Sequence, residues 1–148
     1  MHVTIRKAST QDLEYIFSLI KAFAVFQTAP EKVKITLEQM KNEQHLFQCF
    51  VAETSENEIV GFASFFFAYY SWYGKALYLD DLYVTDAYRK YGVGKKLLDA
   101  VIDLAKNEQC KKVRWQVSKW NEHAISFYTK MGATTDDTEI NCDYMLNS

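Results

Sequence analysis

Leu82-Tyr83-Val84-Thr85-Asp86-Ala87-Tyr88-Arg89-Lys90-Tyr91-Gly92-Val93-Gly94-Lys95 runs from the end of one regular element into the start of another. Upstream, Lys75 to Val84 reads as a strand opened by the turn residue Gly74. Downstream, Leu97, Leu98, Val101 and Ala105 recur at helical spacing and predict a helix from about Gly92 to Asn107. Two glycines at such a junction let backbone approach a ligand, and the first amides of the new helix point at it with the positive end of the helix dipole. A pyrophosphate suits that end, with Arg89 and Lys95 as helpers. On these residues alone, an ordinary glycine-bearing turn with two surface cations fits equally well. Gly92, Gly94 and Lys95 stand too close together for a Walker A loop, and no third glycine completes the dinucleotide fingerprint.

Working outward, Val113, Trp115 and Val117 alternate with polar residues and predict a strand parallel to the one before the helix. Towards the N-terminus, Val3 to Lys7 alternates as a strand. Ser9-Thr10-Gln11-Asp12 then offers N-cap oxygens to a helix carrying Leu13, Ile16, Phe17, Ile20 and Ala24 on one stripe. Pro30 breaks that pattern, and Thr36 with Gln39 resembles a capping box opening a short helix toward Glu43. Leu46 to Glu53 and Ile59 to Tyr70 predict a hairpin around the polar turn Thr54 to Glu58. Near the C-terminus, Ala124, Phe127, Tyr128 and Met131 share a helical face that Gly132 ends, and Asn141 to Met145 is read as a strand closing the sheet. The expected fold is α+β, a mostly antiparallel sheet with helices on both faces.

The bulk numbers fit one domain spanning residues 1–148: 49% of the 148 residues are hydrophobic and 24% charged. A net charge of -2 with scattered Lys and Arg leaves no footprint for nucleic acid or an anionic membrane, so a small molecule is the expected partner. Apolar runs are too short for the roughly 20 residues that span a bilayer, and the Met-His-Val-Thr-Ile-Arg-Lys start is no signal peptide, so a cytoplasmic protein is expected. Cys49, Cys110 and Cys142 are odd in number and far apart, and His2, His45 and His123 lack ligand spacing. Reduced thiols and no metal are expected.

Arg89-Lys90-Tyr91-Gly92-Val93-Gly94 resembles the arginine-x-x-glycine-x-glycine signature of the GNAT acetyltransferase superfamily, where it cradles the pyrophosphate of coenzyme A. Leu77-Tyr78-Leu79-Asp80-Asp81-Leu82-Tyr83-Val84 before it, and Trp120-Asn121-Glu122, Ala124-Ile125-Ser126-Phe127-Tyr128 and Lys130-Met131-Gly132-Ala133 after it, are similar to the diamine (spermidine/spermine) and thialysine acetyltransferases. The likeness runs from about Ile5 to Ala133. It implies acetyl-coenzyme A in a splay between the two parallel strands. Backbone at Leu82, Tyr83 and Val84 would hold the pantetheine, Lys90, Tyr91, Gly92, Val93, Gly94 and Lys95 the pyrophosphate, and Asn121 to Ala124 the far wall. Tyr128 matches the family's general acid, although its helical face alone reads as well as a core tyrosine. Asp80 stands where the polyamine enzymes carry a glutamate acting on the amine. Most members of the subfamily are homodimers, which implies the same here.

An amine with a lysine-like pKa of about 10.4 is protonated at pH 7, which withholds its lone pair at a cost of about 4.6 kcal/mol. The thiol leaving group lies much nearer neutrality, so a proton acceptor matters more than the acid. Asp80 is therefore expected to attract the ammonium and relay its proton, its side chain being shorter than the glutamate it replaces.

 A water is the expected bridge between Asp80 and the amine. Asp80 and Asp81 are adjacent on a strand, so regular pleating sends them to opposite faces unless a bulge intervenes. A bulge here would also splay the sheet and free amides near Leu82 for the thioester oxygen. No cysteine matches a nucleophile position, so direct transfer without an acetyl-cysteine is expected. Where the polyamine enzymes place further acidic or hydroxyl groups, this chain has Phe26, Gln27 and Tyr70, while Trp72 is retained. That less anionic pocket favours a mono-amine, a diamine or an amino acid with a side-chain amine such as thialysine over spermidine and spermine. A protein or peptide acetyltransferase and a non-catalytic acyl-coenzyme A-binding module are the alternatives.

Overall fold

The computed structural model describes residues 2–146. They fall into two compact units, one up to Trp115 and one from Gln116 onward. The first holds β1 (Val3–Lys7), α1 (Leu13–Phe26), α2 (Leu37–Asn42), β2 (Gln48–Thr54), β3 (Ile59–Tyr70), β4 (Gly74–Val84), α3 (Val93–Asn107) and β5 (Val113–Arg114); the second holds α4 (Glu122–Lys130). The five strands lie in chain order in one sheet, antiparallel except for the parallel pair β4 and β5. This is the expected α+β arrangement.

Each helix of the first unit follows from a local signal. Asp12 accepts the Ser9 amide at 2.7 Å and two bonds from Arg6, so the chain turns into α1 with its first acid neutralised. Leu13, Ile16 and Leu19 are buried, and Phe17 and Ile20 pack at the margin of the same cluster. Thr36 caps α2 by accepting the Gln39 amide, while the Gln39 side chain turns to Glu43 instead of closing the box. In α3, Val93, Leu97, Leu98, Val101 and Ala105 are buried, the predicted stripe with one residue added.

The two long helices cover opposite faces of the sheet. α1 packs on Cys49, Val51 and Phe62. Gly61, the neighbour of Phe62, faces the other way, where a Cβ would stand 3.2 Å from Leu97 Cδ1 and 3.0 Å from the Tyr83 carbonyl. Bare backbone at that position lets α3 seat closely on the sheet.

Three expectations are corrected. β2 begins at Gln48 rather than Leu46, because Leu46 and Phe47 are held in turns by the carbonyls of Glu43 and Gln44. The strand expected over 113–117 is confined to Val113–Arg114, for a reason that lies in β4 and is given below. No strand closes the sheet at 141–145: Tyr144 and Met145 are exposed, and among the described residues none after Arg114 is in a strand. Asn141 and Asp143 are poor strand formers, and the Asn141 carboxamide oxygen instead accepts a bond from Gln116 at 3.2 Å.

Candidate active site

The register of β3 and β4 pairs Phe65 with Leu79 and Ser64 with Asp81, leaving Asp80 as an extra residue on β4. This is a β-bulge, the alternative to regular pleating that the adjacent acids left open. Tyr78 stacks on Phe66 at 5.1 Å and belongs to the same face as Ser64 and Tyr83, and the bulge sets Asp80 and Asp81 on that face together. The Asp80 charge reaches both neighbours, adding to burial in raising the Asp81 carboxyl and the Tyr78 hydroxyl. Burial is the larger cause for each, and it pushes Asp81 up to about 6. Asp80 is solvent-exposed, yet enough protein surrounds its carboxyl to raise it as well. Among the described residues neither acid has an ion-pair partner.

The bulge also reverses the amides of β4. Before it, the Leu77 amide donates toward β5, to the Lys112 carbonyl. After it, Asp81 and Thr85 donate toward β3, to Ser64 Oγ at 3.2 Å and the Val60 carbonyl at 2.9 Å. Alternation then turns the amides of Leu82 and Val84 to the β5 side, where the ladder has already ended at Tyr78 and Arg114. An odd residue of β4 presents its amide to β5 before Asp80 and an even one after it, so a parallel partner cannot stay in register across the bulge. This is why β5 is short, and it leaves β4 amides facing an open edge.

At the end of β4 the chain reaches α3 through a turn in which Lys90 and Gly92 both have positive φ, 74° and 76°. Gly92 is the N-cap, and no side chain caps α3 or places an acid in its first turn among the described residues. A Cβ at Gly92 would have nothing within 4 Å, so open space lies against these amides. This backbone donor set fits an anion such as a diphosphate. Arg89 donates to the Val84 carbonyl at 2.8 Å, pairs with Asp86, and lies over the rings of Phe26 (4.6 Å) and Tyr83 (5.2 Å). Lys95 pairs with Asp99 at 2.8 Å.

Of the acceptor-side residues, Phe26 stands beside Tyr83, with ring centroids 6.4 Å apart, and Gln27 is the C-cap of α1. Trp72 lies in the β3–β4 turn and is 92% exposed, six residues of strand and more from the acids. Cys49 is buried and its thiol is pushed far up by that burial, which keeps it unreactive. In the second unit, Asn121 caps α4 by accepting the Ala124 amide at 3.2 Å, and Gly132 follows the helix with φ 104°. Burial raises the Tyr128 hydroxyl, so it holds its proton at neutral pH. Ser64, Tyr78 and Arg114 were not singled out from the sequence. The polar Ser64 within the apolar run Val60 to Phe67 was the available signal for the first.

Residues 13–133 match the model of the Acetyltransferase (GNAT) family. The chain is 34% identical over 139 residues to the human spermidine/spermine N(1)-acetyltransferase-like protein 1, an alignment covering 87% of this chain and 20% of that longer protein. It is 33% identical over 140 residues to the mouse thialysine N-epsilon-acetyltransferase, covering 87% of this chain and 82% of the mouse enzyme. A solved aminoglycoside acetyltransferase from an uncultured soil metagenomic sample shares the fold with a TM-score of 0.79, at 24% identity over 98% of this chain and 97% of the other. The bulged strand, the uncapped helix start and these matches agree, and the chain belongs to the GNAT acetyltransferase family.

Proposed function

We propose that this enzyme transfers an acetyl group from acetyl-coenzyme A directly to the primary amine of a small molecule: a diamine, a polyamine or an amine-bearing amino acid such as thialysine. The observation that carries the reading is the bulge at Asp80, which gathers two unpaired carboxylates on one face and turns the Leu82 and Val84 amides outward beside them. The names of the human and mouse relatives support small amines as the acceptor class.

Acetyl-coenzyme A supplies an activated thioester. The α3 amides at Gly92 to Lys95 hold its diphosphate, and the outward amides of β4 orient the pantetheine and meet the negative charge that develops on the thioester oxygen. Asp80 and Asp81 attract the substrate ammonium and accept its proton, in part through water. A carboxylate near 6 is a better acceptor than an ordinary one and is still mostly ionised at pH 7. The amine nitrogen bonds to the acyl carbon as the carbon–sulfur bond breaks; Tyr128, assigned by resemblance, gives its proton to the sulfur and is reprotonated by the proton that the nitrogen sheds in becoming an amide. The same resemblance supports a homodimer.

A panel of polyamines, diamines, thialysine, lysine and aminoglycosides, assayed for thiol release from acetyl-coenzyme A, tests the reading. Turnover of at least one free amine, and its loss in the Tyr128→Phe variant, is expected. Silence across the panel, or unchanged turnover by the variant, overturns it.

A further inference from the structure

We propose that Arg114 is a specificity-determining residue that binds the carboxylate of the acceptor, so that the substrate is a short amino acid ending in a primary amine rather than a polyamine. This rests on the small-amine reading above and narrows it. Of the three arginines in the chain, Arg6 and Arg89 are ion-paired, whereas Arg114 has no acidic partner among the described residues. The parallel ladder sets it directly beside Tyr78, on the sheet face that carries Asp80 and Asp81. Two residues of strand rise and one strand spacing put its Cα about 8 Å from that of Asp80.

The guanidinium lies over the Tyr70 ring at 5.0 Å. This cation–π contact restrains the guanidinium without using its N–H groups as hydrogen-bond donors, and those suit a bidentate carboxylate. The Lys112 ammonium, 4.9 Å from the same ring and 3.8 Å from Tyr73, adds positive charge on this side. One open face thus offers two uncompensated acids at one end and an uncompensated cation at the other. A zwitterion with its amine at the acids and its carboxylate at Arg114 satisfies both, while the next ammonium of a polyamine meets like charge there.

Lysine and its decarboxylated counterpart cadaverine differ in this one group. The test compares kcat/KM for both in the native enzyme, Arg114→Gln and Arg114→Glu. Arg114→Gln is expected to lose about tenfold or more on lysine, mainly through KM, with no loss or a gain on cadaverine and little change in the KM for acetyl-coenzyme A. Arg114→Glu is expected to shift preference toward cadaverine. Equal losses on both amines, or no loss on lysine, overturn the carboxylate site. If the native enzyme turns over cadaverine but Arg114→Gln leaves lysine unaffected, the site falls and the small-amine reading stands; if it turns over neither these nor any other free amine, that reading falls first.

Discussion

Asp81 binds its proton in the folded chain at pH values where the unfolded chain has lost it, since burial and then Asp80 push it up to about 6. The neutral form is favoured by folding, so this group's contribution is fully present below the ordinary carboxylate range and is lost as pH rises through about 6. Asp81→Asn is therefore expected to raise Tm at pH 8, with the gain shrinking toward pH 4. Thermal scans at the two pH values check this, and an equal gain at both would contradict it. Ser64 acts on the same pair from below. Its buried hydroxyl accepts the Asp81 amide in the bulge, and Ser64→Ala leaves that amide without its acceptor at a cost of about 1–3 kcal/mol. The variant is expected to lose amine kcat/KM while keeping the KM for acetyl-coenzyme A, with partial recovery in Ser64→Thr; steady-state kinetics on the three proteins decide it.

At the scale of elements, the start of α3 separates binding from folding. A methyl at Gly92 meets no atom within 4 Å, but its φ of 76° strains any side chain by about 1 kcal/mol and the methyl points into the open space against the amides. Gly92→Ala is expected to raise the KM for acetyl-coenzyme A with a small fall in Tm. Gly61→Ala is expected to do the reverse, lowering stability by about 1–3 kcal/mol because Tyr83 and Leu97 must move; denaturant melts and cofactor titration of both variants distinguish the two cases. These elements also mark how far the sequence could be read. The stripe of α3 follows from spacing because one face is buried against a sheet, and the alternatives at Asp80 and Asp81, opposite faces or a bulge, follow from two adjacent acids on one strand. The bulge's effect on β5 was not legible, since it depends on which strand each β4 amide faces. Likewise, Arg89 reads as an anion ligand from its motif, but its contact with the Phe26 ring comes from a distant stretch of chain.

Across the whole first unit, Arg6 joins β1 to Asp12 at the entry to α1 and to Glu53 on β2, at 2.8 and 2.9 Å. The bond from Arg6, more than any other group, holds the Asp12 carboxyl below its usual range. That stabilisation is present above the ordinary carboxylate range and is lost as pH falls, the opposite sign to Asp81. Arg6→Ala is expected to lower Tm at pH 7 and to match the native protein near pH 2, as pH-dependent melts would record. The fold thus places its stabilising acid at the β1 edge of the sheet and its costly acids on β4, past the end of β5, where the proposed mechanism uses their desolvated charge. The pH dependence of kcat/KM on a turned-over amine, in the native enzyme and in Asp80→Asn and Asp81→Asn, tests that assignment most directly. The account predicts an acid limb near pH 6 in the native enzyme, losses of about a hundredfold in the variants and disappearance of the limb in Asp81→Asn; variants with native rates and an unchanged limb would contradict it.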